Sequence, residues 1–146
     1  MKQSKGFTVI ELMIAIVIGA ILVTMAVPLF NTLSERSAVA TTSNDLLSGL
    51  LLARSEAVRQ EINATFTPGA NSWQVDAGGN TLLNRTVDDE RVTIAGDPVT
   101  YNARGRASLA DTDALEISFE GTLKSRVCLS LTGRPFIRSA DDGDCP

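Results

Sequence analysis

The side chains that could do chemistry in this chain of 146 residues are few. The sequence contains no histidine, two cysteines and no glycine-rich phosphate-binding loop. The missing histidine excludes a Ser-His-Asp or Cys-His nucleophile and any zinc site that uses histidine, and two cysteines cannot close a four-cysteine site. We therefore predict that the protein is not an enzyme and holds no metal or cofactor.

One carboxylate stands out by its position. Glu11 is the only charged residue between positions 7 and 34, and the residues from Leu12 to Phe30 carry no charge. A carboxylate at the centre of a membrane costs about 2.5–3.5 kcal/mol, so a charge inside such a stretch indicates a function.

The apolar stretch at residues 7–30 predicts a transmembrane helix, because 24 residues at 1.5 Å each span about 36 Å. A buried core helix is disfavoured, since so small a domain could hardly surround a helix that is apolar on every side. A cleaved secretory signal peptide is the other alternative. It fits the basic start and the small residues near Ala26, but it does not account for Glu11.

Two residues interrupt this apolar helix. Pro28 lacks a backbone donor and crowds the preceding turn, so a helix break, as a kink or local unwinding, is predicted there. Glycine and proline are also common in membrane helices, so simple tolerance of Gly19 and Pro28 is the alternative.

Residues 31–60 predict an amphipathic helix that continues the apolar one. Apolar residues recur at spacings of three and four, with arginine, glutamate and glutamine on the remaining positions. The predicted buried face consists of Leu46, Leu47, Leu50, Leu51, Ala53, Ala57 and Val58.

Residues 61–146 predict short strands, so the fold class is α+β: a long N-terminal helix packed against antiparallel β-sheet. Alternating or β-branched segments are separated by breaks such as Gly78-Gly79. The predicted strands are Ile62–Thr67, Trp73–Ala77, Arg85–Val87, Arg91–Ala95, Val99–Asn102, Leu115–Phe119, Lys124–Leu131 and Arg134–Ile137.

The residues from Lys5 to Leu12, followed by the apolar run, resemble the class III signal of type IV pilins and type II secretion pseudopilins. The resemblance implies a leader at residues 1–6, cleavage between Gly6 and Phe7 by a prepilin peptidase, and N-methylation of Phe7. It also implies that the Phe7 amine, of the same or a neighbouring subunit, forms an ion pair with Glu11 during filament assembly.

Two further stretches resemble the FimT/FimU minor pilins and the H-type minor pseudopilins. They are the helix end Ala53–Arg59 and the C-terminal part, from Val99–Arg106 through Cys128–Pro135. The resemblance covers the whole chain, although residues 61–98 match only in general pattern.

The only cysteines, Cys128 and Cys145, would meet oxidising conditions in an exported domain, so we predict a disulfide, with two free thiols as the alternative. It would close a C-terminal loop that contains Asp141, Asp142 and Asp144. Three acids without the spacing of a calcium loop indicate a solvated loop, so no metal is predicted.

Some FimT-type pilins bind DNA through a C-terminal Gly-Arg-x-Arg. This chain has Gly133-Arg134-Pro135-Phe136, with the next arginine at Arg138, so Arg134 and Arg138 are the candidate DNA contacts. Four further side chains could add phosphate contacts if they share a face: Arg104, Arg106, Lys124 and Arg126. Against this, the net charge of −4 favours arginines that pair with acids of their own domain.

The leading hypothesis is a minor type IV pilin that helps to prime pilus assembly and lies at or near the pilus tip. The alternatives are an H-type minor pseudopilin of type II secretion and a FimT-like DNA receptor. The resemblance implies these partners: other minor and major pilins, prepilin peptidase, the inner-membrane assembly platform and membrane lipid. It implies a single-pass inner-membrane protein with its C-terminal domain in the periplasm, later part of a pilus fibre.

Overall fold

The computed structural model describes residues 6–108 and 115–145. The chain divides into two units, one up to Arg36 and one from Ser37 onward, and each is described by itself. The predicted leader, residues 1–6, lies outside the described residues except for Gly6. One helix, α1 (Val9–Gln60), contributes to both units.

The first unit consists of the apolar part of α1. Its large apolar side chains are exposed, from Val9 at 78% to Phe30 at 72%. By length and composition this helix is able to cross a membrane.

The helix continues through Pro28, so the structure does not show the local unwinding predicted there. Proline removes only one helical N–H, the donor to the Thr24 carbonyl, and membrane helices tolerate that loss. In the adjacent turns, Thr32 Oγ1 donates to the Pro28 carbonyl at 3.1 Å, and Thr24 Oγ1 donates to the Ile21 carbonyl at 2.8 Å. Loosening at Pro28 when the helix leaves a bilayer stays a prediction.

In the second unit, α1 ends where predicted, at Gln60. Glu61 takes a left-handed conformation (φ 57°), which glycine usually occupies at this position. The Ile62 N–H then donates to the Ala57 carbonyl at 3.2 Å and closes the last turn of the helix.

The strands are all antiparallel and form two sheets in the described part of the chain. Sheet 1 has the order β3-β2-β1-β5-β6 and sheet 2 the order β4-β7-β8-β9. Their bounds are β1 (Ala64–Pro68), β2 (Ser72–Ala77), β3 (Asn80–Thr86), β4 (Val92–Ala95), β5 (Val99–Tyr101), β6 (Ala107–Ser108), β7 (Leu115–Phe119), β8 (Thr122–Leu129) and β9 (Pro135–Ser139), followed by a 3₁₀ turn at Ala140–Asp142.

The α+β architecture is confirmed, but two details differ from the sequence prediction. The strand predicted at Arg85–Val87 begins at Asn80, because Gly78 and Gly79 (φ 60° and 83°) make a two-residue turn that returns the chain directly alongside β2. The two-residue strand β6 was not predicted, since so short a segment has no periodicity of its own.

One face of α1 covers both sheets. It buries Leu46, Leu50, Ala53 and Ala57, whereas Leu51 and Val58 are 45% and 48% exposed and do not belong to the buried face predicted for them. The helix approaches sheet 1 closely at Gly49. A Cβ at this position would lie 2.6 Å from the Trp73 ring, so only glycine fits there. On the side of sheet 2, Ser43 Oγ donates to Ser125 Oγ of β8 at 3.2 Å.

Candidate functional site

Glu11 lies in the first turn of α1, and Thr8 is the residue that holds it. One oxygen of the Glu11 carboxylate, Oε2, accepts the Thr8 backbone N–H at 2.9 Å and the Thr8 hydroxyl at 2.7 Å. The Glu11 N–H donates in return to Thr8 Oγ1 at 3.3 Å. This reciprocal arrangement is a capping box, which satisfies main-chain donors that the first turn of a helix leaves unpaired.

The role of Thr8 was not predicted from the sequence. The signal was present as Thr-x-x-Glu directly before an apolar helix, the usual spacing of a capping box. The pair places the single carboxylate of the apolar segment at the start of α1, four residues after the exposed Phe7.

The C-terminal part contains two turns of the same construction. The turn at residues 102–106 reads Asn-x-x-Gly-Arg and the turn at residues 130–134 reads Ser-x-x-Gly-Arg. In each, the glycine N–H donates to the carbonyl of the first residue, at 2.8 Å for Gly105 and 2.7 Å for Gly133. Both glycines have positive φ, 70° and 77°, which side chains disfavour.

These two turns, called here the paired turns, pack against one another. A Cβ on Gly133 would lie 2.7 Å from the Ala107 nitrogen and 3.1 Å from the Gly105 carbonyl oxygen. The close contact therefore requires glycine at this position for two reasons, the backbone conformation and the lack of space.

Arg54 joins the helix to both turns. Its Nε donates to the Gly105 carbonyl at 2.9 Å, and its Nη2 approaches the Thr132 carbonyl at 3.4 Å. Three stretches singled out in the sequence, around Arg54, Gly105 and Gly133, thus meet at one point. Tyr101 lies beneath this junction, fully buried, and its hydroxyl has no partner among the described residues. Burial raises the pKa of Tyr101 to about 12, against an opposing effect of the Arg54 charge.

Comparison with known proteins agrees with these features. The prokaryotic N-terminal methylation motif matches residues 1–27, and the type II transport protein GspH family matches residues 42–133. The chain belongs to the GspH family. The match covers α1 from Thr42 onward, the first of the paired turns, and the second up to Gly133.

Individual relatives of this GspH-family chain agree. A fimbrial protein of Pseudomonas aeruginosa is 34% identical over 86 residues, which are 58% of this chain and 55% of the relative. The chain therefore aligns with about half the length of the curated relatives it matches. Two crystal structures of the minor pilin FimU from Pseudomonas aeruginosa share the fold, at 18% identity, with TM-scores of 0.64 and 0.58. They cover 78% and 73% of this chain and 99% of each FimU chain.

The structure separates the five arginines that follow β5 into two groups. Arg104, Arg106 and Arg134 lie exposed on the paired turns. Arg138 lies four residues beyond Arg134 along β9, about 13 Å away at the rise of an extended strand. The two candidate DNA contacts thus lie in different settings, Arg134 on a turn and Arg138 on β9, and their binding to DNA stays a prediction.

The second group of arginines holds the C-terminal tail. Arg126 contacts Glu116 at 3.5 Å, Asp144 at 3.2 Å and the Gly143 carbonyl at 3.0 Å. Arg138, opposite Arg126 in the β8–β9 register, donates to the Asp142 carbonyl. Arg126 and Arg138 are therefore bonded within the domain, whereas the arginines of the paired turns are exposed.

A disulfide joins Cys128, fully buried in β8, to Cys145 in the tail. Of the three acids within this loop, Asp144 pairs with Arg126. No group of three acids, histidines or cysteines within residues 6–108 and 115–145 is arranged to hold a metal ion.

We predict that Arg54→Ala lowers the free energy of unfolding of the β-rich unit by about 2 kcal/mol, because it leaves the buried Gly105 carbonyl without its donor. Urea denaturation of the detergent-solubilised full chain, followed by Trp73 fluorescence, measures this loss. Arg59→Ala is the control. Arg59 lies on the same helix but is itself exposed, at 68%, where it pairs with Glu56, so little change is expected. Equal effects of the two substitutions would contradict the role of Arg54.

Proposed function

We propose that this protein is a minor type IV pilin, anchored in the bacterial inner membrane by α1 and then incorporated at or near the tip of a pilus, where it helps to prime assembly. The observation that carries the proposal is the N-terminal arrangement. An apolar, exposed helix contains one carboxylate, held at its start by Thr8, within a segment that matches the methylation motif. The family and fold are those of structural pilins and pseudopilins.

The contacts of Glu11 support a role in assembly. Thr8 donates both of its hydrogen bonds to Oε2, so within the described residues Oε1 accepts none. Cleavage after Gly6 would make Phe7 the N-terminus and create a positively charged amine one residue from Thr8. We infer that this amine, on the same or a neighbouring subunit, neutralises Glu11 and fixes the axial position of the subunit. The favourable field of the helix N-terminus offsets only part of the cost of the carboxylate in lipid.

The proposal includes the partners and the cellular location. Prepilin peptidase would process the chain at Gly6 and Phe7. The assembly platform of the inner membrane would extract α1 from the lipid, and other minor and major pilins would surround it in the fibre. Before extraction the β-rich unit would lie in the periplasm, where the Cys128–Cys145 disulfide is stable.

The test is substitution of Glu11. We expect Glu11→Ala to enter the membrane normally but to lower the amount recovered in sheared filaments by about tenfold, the equivalent of roughly 1.4 kcal/mol. Immunoblots of membrane and filament fractions measure both quantities. Thr8→Val is the matched control, since it removes the hydroxyl bond and keeps the charge. Normal incorporation of the Glu11→Ala subunit would remove Glu11 from the mechanism.

The family also contains pseudopilins of type II secretion, so an H-type minor pseudopilin is the alternative. Deletion of the gene separates the two. Loss of surface pili with normal secretion supports a pilin, whereas loss of secretion with normal pili supports a pseudopilin.

A DNA-receptor function is the second candidate, favoured by one observation: Arg104, Arg106 and Arg134 lie on two turns that are in contact. Three guanidinium groups on adjoining turns could contact successive phosphates. If they do, Arg134→Ala weakens retardation of DNA in a gel shift and reduces its salt dependence, whereas Arg85→Ala, on β3, does not. Equal retardation by both variants would exclude this function.

A further inference from the structure

A cavity of about 190 Å³ lies between α1 and the loop that follows β3, within the second unit. Its walls are apolar where Ala38, Trp73 and Val87 line it. The remainder is polar and consists of three carboxylates, Asp45, Asp88 and Asp89, and three threonines. We call it the acidic cavity.

The charges of the acidic cavity are only partly compensated. Asp89 is bound by Arg91, whose side chain and backbone N–H donate to it, and these bonds lower the pKa of Asp89 to about 2. The carboxylates of Asp45 and Asp88, by contrast, make no hydrogen bond or ion pair with any described residue. Arg85 lies opposite Trp73 in the β2–β3 register and is not paired with them.

The unpartnered side chain of Thr42 supplies a second, independent observation. Thr42 is 6% exposed and lines the acidic cavity, yet its side chain makes no hydrogen bond to another part of the structure that is described. The next residue, Ser43, binds the Val39 carbonyl and Ser125 in the same turn of α1. The Thr42 hydroxyl is not fully enclosed, since Tyr101 Oη is the enclosed side-chain polar atom without a partner in the described part of the chain, so it is free to bond to a ligand that enters the cavity.

We propose that the acidic cavity binds a long basic side chain, an arginine or a lysine, of another subunit. The cavity offers oxygen acceptors from Asp45, Asp88 and Thr42 to a cationic donor, and the apolar wall of Trp73 and Val87 to an aliphatic stem. Its volume suits one side chain and not a helix or strand. The proposal rests on the proposed function in one respect: the protein that supplies the basic side chain is a neighbouring subunit of the filament.

The first experiment tests the chemistry of the cavity without a filament. The chain has a single tryptophan, Trp73, so its fluorescence reports directly on the cavity wall. The detergent-solubilised full chain is titrated with N-acetylarginine amide and, for comparison, with the neutral N-acetylcitrulline amide. We expect saturable binding of the arginine probe, at least about tenfold tighter than that of the citrulline probe, and weaker at high salt.

Matched variants assign the binding to the carboxylates. The double substitution Asp45→Asn and Asp88→Asn should weaken binding of the arginine probe by about tenfold, and Asp97→Asn, an exposed acid of the β4–β5 loop, should leave it unchanged. Unchanged Trp73 emission without the probe shows that the variants are folded. The proposal is overturned by equal affinity for the two probes or by absence of saturable binding. It is also overturned if the arginine probe binds only to the Arg85→Ala variant, because Arg85 of the same chain would then be the occupant of the cavity.

The second experiment identifies the partner's residue in cells. A photo-crosslinking amino acid at Thr86, on the rim of the cavity, should react with a peptide of another pilin that contains an arginine or lysine beside the crosslinked position. Substitution of that arginine or lysine by glutamate should abolish the crosslink. Asp88→Arg in this chain, combined with the partner's substitution, should restore it. Crosslinking to a peptide without a basic residue would overturn the proposal. If Glu11 proves irrelevant to assembly while the probe still binds, the proposed function fails and the cavity assignment stands.

Discussion

Burial of one face of α1 between Thr42 and Ala57 is the interaction on which the β-rich unit depends. The two sheets are short, and the apolar face of each must pack against another element. Leu46 and Leu50 fill the space between them, and Gly49 lets the helix approach Trp73 and Phe66. The same helix exposes every large apolar side chain from Val9 to Phe30. One element therefore provides both the proposed membrane anchor and part of the core.

Arg54 shows how this helix also organises the surface. Its two bonds to main-chain carbonyls fix the paired turns, and the glycines of those turns allow the contact between them. The paired turns then carry three exposed arginines, while Arg126 and Arg138 are engaged with the C-terminal tail. The positions that a neighbouring subunit or a polyanion can reach are thus decided by contacts with the helix and the tail, not by the number of arginines in the sequence.

Much of the fold could be predicted from local pattern. The apolar run, the end of α1 and most strands follow from periodicity, and Thr8 with Glu11 follows the spacing of a capping box. Long-range contacts could not be predicted. Leu51 and Leu50 look equivalent in sequence, but only Leu50 meets the sheets. The repeated Asn/Ser-x-x-Gly-Arg pattern was visible, yet its meaning depends on the packing of Gly133 against Ala107 across 26 residues. The acidic cavity likewise combines residues more than 40 positions apart.

The central claim is that the mature chain begins at Phe7 and retains the apolar part of α1. The intact mass of the protein extracted from the membranes of cells that produce type IV pili tests this claim most directly. The account predicts a chain that begins at Phe7, carries one additional methyl group and retains the Cys128–Cys145 disulfide. A chain that still begins at Met1, or one cut near Ala26 and released without its apolar helix, would contradict it.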